Sequence, residues 1–413
     1  MFDGILKKVQ QSLSRDKIDG WLMYDFQRRN GLAIKFLAID ASAHLTRRLF
    51  YWIPASGPPI KIVHKIEPYF LDAWPGERWT YGTGQELGRL LGDVLLGSNK
   101  VAMEYSPSCA IPDLSLVDAG IVDVVRSFDC EVVSSAELIQ SFTCVLDAAQ
   151  LASHQAAGKV LEQIVSDVWR LISFRLQHNQ PISEYEVQQF IKSSFSLLGC
   201  ESDGDPICAV NAHSSDPHYT PTRDCHDLIS KGDFILIDLW CKQKLPHSVY
   251  ADITRVAVAS SQATERQKTI FEVVRKAQQE TTMFIKQSFL LKQPVRGCDA
   301  DQVARQVVNA AGYGRYFIHR TGHNIYTEAH GPGAHLDSIE TCDERLLIPG
   351  TCFSVEPGIY LPGEFGVRLE YDVYISQDGV LEITGGVQEV IALLLQEEGS
   401  VCSLVLQGPH VEF

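Results

Sequence analysis

Residues 233–259 read DFILIDLWCKQKLPHSVYADITRVAVA. The run from Phe234 to Asp238 is a short apolar stretch that ends on a carboxylate. Val249 to Ala259 alternates like a strand and carries Asp252. The polar segment between them, CKQKLPH, reads as a turn, so Asp233 to Asp238 and Val249 to Ala259 form a strand pair. A hairpin brings Asp238 and Asp252 to one place. A carboxylate that ends an apolar run is buried, and burial without a partner is costly. The partner is a cation: a metal ion, or an arginine such as Arg255 or Arg368.

The arrangement recurs downstream. Glu356 follows CFSV and precedes Pro357-Gly358, and Glu370 lies in GVRLEYDVYI. Phe353 to Tyr360 and Val367 to Ser376 read as strands, with Gly358, Pro362, Gly363 and Gly366 in the turn. His323 sits in IHRTGHNIYTEAHGPG, where Gly322, Gly331 and Gly333 let backbone approach a site closely. Asp238, Asp252, His323, Glu356 and Glu370 together make a hard, oxygen-rich donor set suited to manganese, cobalt or zinc. Four negative charges are too many for one divalent ion and balance two, which points to a two-metal hydrolytic site. The competing reading is a buried ion-pair network built on Arg255 and Arg368. His218, in NAHSSDPHYTPT, sits on a loop after a strand. Cys208 and Cys241 read as packing residues, and His213 has no assigned role.

Upstream of the hairpin, Ala152 to Leu176 repeats Val160, Ile164, Val168 and Leu171 at helical spacing. Ser183 and Glu186 form a capping box for a second helix, with Tyr185, Phe190, Ile191 and Leu198 as its apolar face. Ile207 to Asn211 is a strand, and Gln262 to Ser288 and Ala300 to Ala311 are helices. The order helix, helix, strands, helix, helix, strands suggests an α+β half repeated once, without sequence identity between the halves. Before residue 145 the chain alternates short strands (Gly20–Tyr24, Leu49–Ile53, Ile60–His64, Val101–Glu104) with helices (Glu86–Leu96, and one or two within Ala110–Phe128). That pattern favours a separate mixed α/β domain.

The 413 residues, 45% hydrophobic and 21% charged, suit a two-domain globular protein. A formal net charge of −15 argues against a nucleic-acid backbone or an anionic membrane surface as partner. The 11 cysteines are scattered without a CxxC pair, so buried reduced thiols in the cytoplasm are expected rather than a disulfide framework. The N-terminal stretch reads as an amphipathic helix rather than a signal peptide, and no segment has the apolar length of a membrane span. There is no GxSxG elbow, P-loop or GxGxxG after a strand, and Gly312-Tyr313-Gly314 is too short for a dinucleotide fingerprint.

With these residues in view, the part from about residue 150 to 400 resembles the pita-bread metallopeptidases, which include Xaa-Pro aminopeptidase, prolidase and methionine aminopeptidase. The order Asp, Asp, His, Glu, Glu matches that family's ligand order. ADITR, HRTGHNIYTEAH, SVEPGIY, VRLE and PHY look like its ligand and substrate-histidine segments. The N-terminal part resembles the small domain of the aminopeptidase P, prolidase and creatinase branch. Creatinase keeps the fold without the metal set, so five retained ligands argue against creatinase-like chemistry.

The resemblance implies an α+β fold: a pita-bread catalytic domain over residues 146–413 and a creatinase-like domain over residues 1–145. It implies that Asp252 and Glu370 bridge two divalent ions, manganese foremost, with Asp238 on one and His323 and Glu356 on the other. Glu356 would act as general base on the attacking water. His330 would hydrogen-bond the substrate or oxyanion, His218 would contact substrate near the scissile bond, and His319 would stand on the substrate side. Arg368 and Thr254 would orient the carboxylates. The implied activity is hydrolysis of Xaa-Pro bonds in dipeptides or at peptide N-termini, by a cytoplasmic homodimer whose small domain restricts access. The alternatives are a hydrolase of the same fold acting on another dipeptide or small amide, and a non-catalytic pita-bread module that binds protein. Two departures stand out: the turn between Asp238 and Asp252 is longer than usual, and Asn324 and Tyr326 replace glycines after His323. Both are expected to reshape the substrate pocket.

Overall fold

Thr83, Asp147, Ser183 and Thr264 each accept a hydrogen bond from the backbone three residues on, and Glu86, Gln150, Glu186 and Gln267 return one. These reciprocal caps satisfy backbone donors that a helix start leaves open. They fix the starts of helices Gly84–Leu95, Ala148–Gln177, Glu184–Leu197 and Glu265–Leu290. The computed structural model describes residues 2–40 and 42–396. It divides into two compact units, one ending at Thr143 and one starting at Cys144.

The first unit is built on a six-stranded mixed sheet, in the order Glu77–Tyr81, Ile60–His64, Leu49–Pro54, Gly20–Asp25, Lys100–Met103, Glu131–Ser134. Both faces are covered, so its central strands are buried throughout instead of alternating. Trp21, Met23, Tyr51 and Ile53 pack with Leu6, Val9 and Leu13 of the N-terminal helix Phe2–Arg15. Leu22, Tyr24, Phe50 and Trp52 pack with Leu87, Leu90 and Leu91 on the other face. The sequence reading missed strands Glu77–Tyr81 and Glu131–Ser134 and helices Gly31–Phe36 and Ala136–Thr143. The stretch Ala110–Phe128, expected to hold one or two helices, holds the 3-10 turn Pro112–Leu114 and the α-helix Ala119–Arg126.

The second unit is organised by the hairpin of strands Phe234–Gln243 and Ala251–Val258, paired antiparallel with Asp238 opposite Thr254 and Asp252 opposite Trp240. Side chains alternate across a strand, so Asp238, Trp240, Asp252 and Thr254 share one face. The opposite face, Ile235, Ile237, Leu239 and Ile253, packs on Leu161, Ile164, Val168 and Ile172 of helix Ala148–Gln177. Fully burying side chains of this kind contributes about 1.5–3 kcal/mol each. This makes the register costly to shift, since a one-residue slip would drive both aspartates into that core. At the far end of the carboxylate face, Phe234, Leu236, Val256 and Val258 pack on Ile270, Phe271 and Val274 of helix Glu265–Leu290.

Several expectations need correction. The first strand runs on to Gln243, so the turn starts later than CKQKLPH implies. The helix read as starting at Ala152 starts at Ala148, because Asp147 caps it. Helix Glu184–Leu197 buries Glu184, Val187, Gln188, Ile191 and Phe195, while Tyr185 and Phe190 are half-buried and Leu198 is exposed. Each of the two long C-terminal strands is broken. Cys352–Val355 pairs with Tyr371–Ile375, and Gly358–Leu361 pairs with Phe365–Arg368. The breaks fall at Glu356-Pro357 and Leu369-Glu370. Proline has no N–H to give the ladder, and the break re-aims both glutamates. The described cysteines are all unpaired, but Cys109, Cys225 and Cys342 are exposed rather than buried, and Cys402 lies outside the described residues.

Candidate metal centre

Five elements bring the five candidate ligands together. Asp238 and Asp252 come from the hairpin, His323 precedes the short strand Asn324–Ile325, and Glu356 and Glu370 come from the two strand breaks. Ligand atoms of Asp252, His323 and Glu370 all lie within 4.8 Å of one another. His323 Nε2 is 3.8 Å from Asp252 Oδ2 and 3.5 Å from Glu356 Oε1. Thr254 Oγ1 stands 2.6 Å from Asp238 Oδ1 and 2.7 Å from Glu370 Oε2, with one proton to donate between them. Arg368 donates through Nε to Thr254 Oγ1 at 3.0 Å, and its Nη2 is 2.7 Å from Asp238 Oδ2.

The competing ion-pair network accounts for part of this charge only. Arg368 pairs with Asp238 Oδ2 at 2.7 Å and, more distantly, with Glu356 Oε2 at 3.9 Å. Arg255 spends its guanidinium on the backbone carbonyls of Thr254, Glu370, Gly385 and Gly386. Asp252 keeps a buried Oδ1 with no hydrogen-bond partner among the described residues. Burial, then the neighbouring carboxylates, push the Asp252 and Glu370 carboxyls well above the usual range. Burial pushes Glu356 up to about 7, against the pull of Arg368 and Arg320. Burial and His330 push His323 well below the ordinary imidazole value, so its ring is neutral and its nitrogen is available as a ligand. A crowd of desolvated carboxylates, an orphaned carboxylate oxygen and a neutral imidazole fit divalent cations.

These side chains open onto a cavity of about 770 Å³, also lined by His218, His319 and His330. The rings of His323 and His330 are 4.2 Å apart at 71°. His319 Nδ1 donates to Arg320 O at 2.7 Å, so its Nε2 accepts from Tyr360 Oη at 2.7 Å, and that oxygen accepts from Arg368 Nη1 at 2.9 Å. Burial, reinforced by Arg368, pushes the His319 pKa down to about 3, so its ring is neutral. Asn324 and Tyr326, expected to reshape the pocket, do not line it. Asn324 Nδ2 donates to Cys352 O and its Oδ1 accepts from Gly333 N, so it braces the Gly331–Gly333 turn. Tyr326 Oη accepts from Gln150. His335 also points elsewhere, accepting from Asn324 N.

Three supporting residues escaped the sequence reading. Asp372 Oδ2 accepts from Asp252 N at 2.9 Å. Tyr360 links His319 to Arg368. Gln278, from helix Glu265–Leu290, donates to Val355 O at 2.8 Å and Leu369 O at 2.9 Å, the carbonyls that precede Glu356 and Glu370. One buried amide thus ties together the two backbone segments that lead into the strand breaks.

The uncharacterized peptidase YqhT of Bacillus subtilis is 32% identical over 268 residues, covering 64% of this chain and 69% of that protein. The Xaa-Pro dipeptidase of Lactobacillus delbrueckii subsp. lactis is 33% identical over 193 residues, covering 47% of this chain and 48% of the relative. The chain thus spans about half the length of the Xaa-Pro dipeptidases it matches. Among solved structures, dipeptidase PepE from Mycobacterium ulcerans superposes with TM-score 0.68 at 20% identity, covering 96% of this chain and 98% of that one. The Xaa-Pro dipeptidase from Bacillus anthracis gives TM-score 0.60 at 20% identity, covering 95% and 100%. These likenesses carry the pita-bread fold with its smaller N-terminal domain. Residues 123–377 match the model of metallopeptidase family M24, well over half of the chain. With a cluster of side chains that could hold a metal ion lying inside the matched residues, the chain belongs to metallopeptidase family M24.

Proposed function

We propose that this metallopeptidase hydrolyses the peptide bond that precedes proline, in dipeptides or at the N-termini of short peptides, with two divalent ions. The observation that carries the reading is the crowding of buried Asp252, Glu356 and Glu370 carboxyls, more than Arg368 alone can pair with, beside a neutral His323. Relatives named Xaa-Pro dipeptidase supply the substrate class.

In this reading Asp238, Asp252, His323, Glu356 and Glu370 hold the ions. Bound divalent ions supply Lewis acidity, which polarises a carbonyl and lets water ionise near neutral pH. Glu356, at the edge of the cavity, takes the proton of the attacking water at a carboxylate oxygen and delivers it to the leaving amine. His330 donates to the oxygen that gains charge on the scissile carbonyl. His218, on the facing loop, contacts the substrate, and His319 is held neutral on the substrate side. Arg368 and Thr254 keep the carboxylates aimed. The hard donor set favours manganese. The homodimer and the cytoplasmic setting come with the family resemblance. Among the described residues no helix is long and apolar enough to cross a membrane.

The test is hydrolysis of Ala-Pro, Ala-Pro-Gly and Ala-Leu with added manganese. Cleavage of a proline-containing peptide with little cleavage of Ala-Leu supports the reading. Cleavage of Ala-Leu alone replaces the substrate assignment.

A further inference from the structure

The loop that carries His218 leaves strand Ile207–Val210 and runs to the bridge between Leu228 and Ser183. His218 is exposed, and its imidazole makes no hydrogen bond among the described residues. Its place is therefore set by its neighbours. Those neighbours converge on one carboxylate that the proposed reaction does not use.

Glu184 is the first residue of helix Glu184–Leu197 and is 0% exposed. Its Oε1 accepts from Val210 N at 2.7 Å and from His213 Nδ1 at 3.0 Å. Its Oε2 accepts from Tyr219 Oη at 2.6 Å and from Asp227 N at 2.7 Å. A carboxylate only accepts, so all four groups donate to it. The donors come from the start of the loop, from both sides of His218, and from the end. The rings of His213 and Tyr219 stack with centroids 4.2 Å apart at 20°, which closes the loop over its own base. A helix N-terminus also favours the negative charge.

A second tie fastens the loop to the metal-site scaffold. Ser214 Oγ accepts from Gly366 N at 2.9 Å, and a Cβ at Gly366 would lie 2.0 Å from Ser214 O. Gly366 shares strand Phe365–Arg368 with the arginine that pairs with Asp238.

We infer that Glu184 is a positioning residue for substrate: through His213 and Tyr219 it holds His218 at the wall of the metal-site cavity. The inference rests on the proposed role of His218 as a substrate contact. An amide at position 184 must turn its NH2 toward one of the two donor pairs, so Glu184→Gln loosens the loop while keeping the size of the side chain.

The experiment measures kcat and KM on Ala-Pro with manganese for wild type, Glu184→Gln, His218→Ala and the double variant. Metal content and amide hydrogen exchange of residues 210–227 are followed alongside. Glu184→Gln is expected to keep wild-type metal content, to exchange faster within this loop, and to lose about ten-fold or more in kcat/KM, chiefly through KM. His218→Ala is expected to lose a similar factor. The double variant should be no worse than the poorer single variant, because both changes remove the same contact. Losses that multiply in the double variant overturn the inference, as does a Glu184→Gln loop that exchanges as slowly as wild type. Wild-type kinetics in His218→Ala alone instead overturn the substrate role of His218 and leave the loop exchange as the test of Glu184. A rate loss matched by lost metal or a lost folded fraction overturns the inference in favour of a purely structural role.

Discussion

Arg368 Nη2 stands 2.7 Å from Asp238 Oδ2, so this carboxylate has its nearest counter-charge from the protein itself, while Glu356 Oε2 lies 3.9 Å from Nε of the same arginine. Breaking a buried pair by removing one partner costs about 3–5 kcal/mol. Arg368→Met is expected to lower the Tm of chelator-treated protein sharply and that of manganese-loaded protein by less, because bound cations take over part of the compensation. Thermal unfolding with and without EDTA checks this. An equal fall under both conditions would mean that Arg368 and the ions do not share the same charge.

Gln278 is the single donor to both Val355 O and Leu369 O. Gln278→Leu removes both bonds and leaves the buried Leu369 carbonyl without this donor, at about 1–3 kcal/mol. Since Glu356 and Glu370 follow those carbonyls, metal content should fall with stability. Titration with manganese, read alongside Tm, separates the two effects. A destabilised variant that binds metal as tightly as wild type would show that Gln278 supports the fold without aiming the ligands.

Gly322 precedes His323, and a Cβ there would sit 1.9 Å from the backbone oxygen of Ser354. A backbone oxygen cannot rotate away, so Gly322→Ala is expected to destabilise by about 1–3 kcal/mol and to weaken metal binding. Gly88, inside helix Gly84–Leu95, has nothing within 4 Å of its Cβ direction. Gly88→Ala should stabilise by about 0.5–1 kcal/mol. Chemical denaturation of the two variants side by side tests the contrast in sign.

His154 is fully buried, with Nδ1 2.6 Å from Tyr250 O and Nε2 3.4 Å from Cys352 Sγ. Burial lowers its pKa from 6.5 to about 4. The unfolded chain therefore takes up a proton that the folded chain refuses. Stability from this group is fully present above pH 6.5 and falls as the pH drops toward about 4. The full loss is about 3 kcal/mol. His154→Gln, which takes up no proton, should flatten that limb of the stability curve. An unchanged slope between wild type and variant would rule this origin out.

Asp238 and Asp252 were legible because the hairpin reads directly from its alternation. One face is aliphatic apart from Cys241 and Arg255, and the other carries the carboxylates. Glu356 and Glu370 were legible as site residues but not as breaks, because the residues flanking each one continue the strand pattern, and only three-dimensional pairing shows where the ladder stops. Gln278 and Glu184 were missed because a lone polar residue in an amphipathic helix reads as its solvent face. A signal was present in both cases. Gln278 shares the helical stripe of Val274, Thr281 and Ile285, and Glu184 that of Val187 and Ile191, so each polar side chain points into a core. The Asn324 and Tyr326 departures misled for the opposite reason. Adjacency to His323 in sequence suggested the pocket, whereas the short strand Asn324–Ile325 turns Asn324 toward Cys352.

Asp238, Asp252, His323, Glu356 and Glu370 converge on one site, which is proposed to hold a pair of divalent cations. Metal content of manganese-loaded, dialysed protein, measured by mass spectrometry for wild type and Asp252→Asn, addresses it without reference to any substrate. Two ions per chain in the wild type, with loss of one or both in a folded Asp252→Asn variant, is the expected result. Folded wild-type protein that retains no metal, or an Asp252→Asn variant that retains both ions, would contradict it.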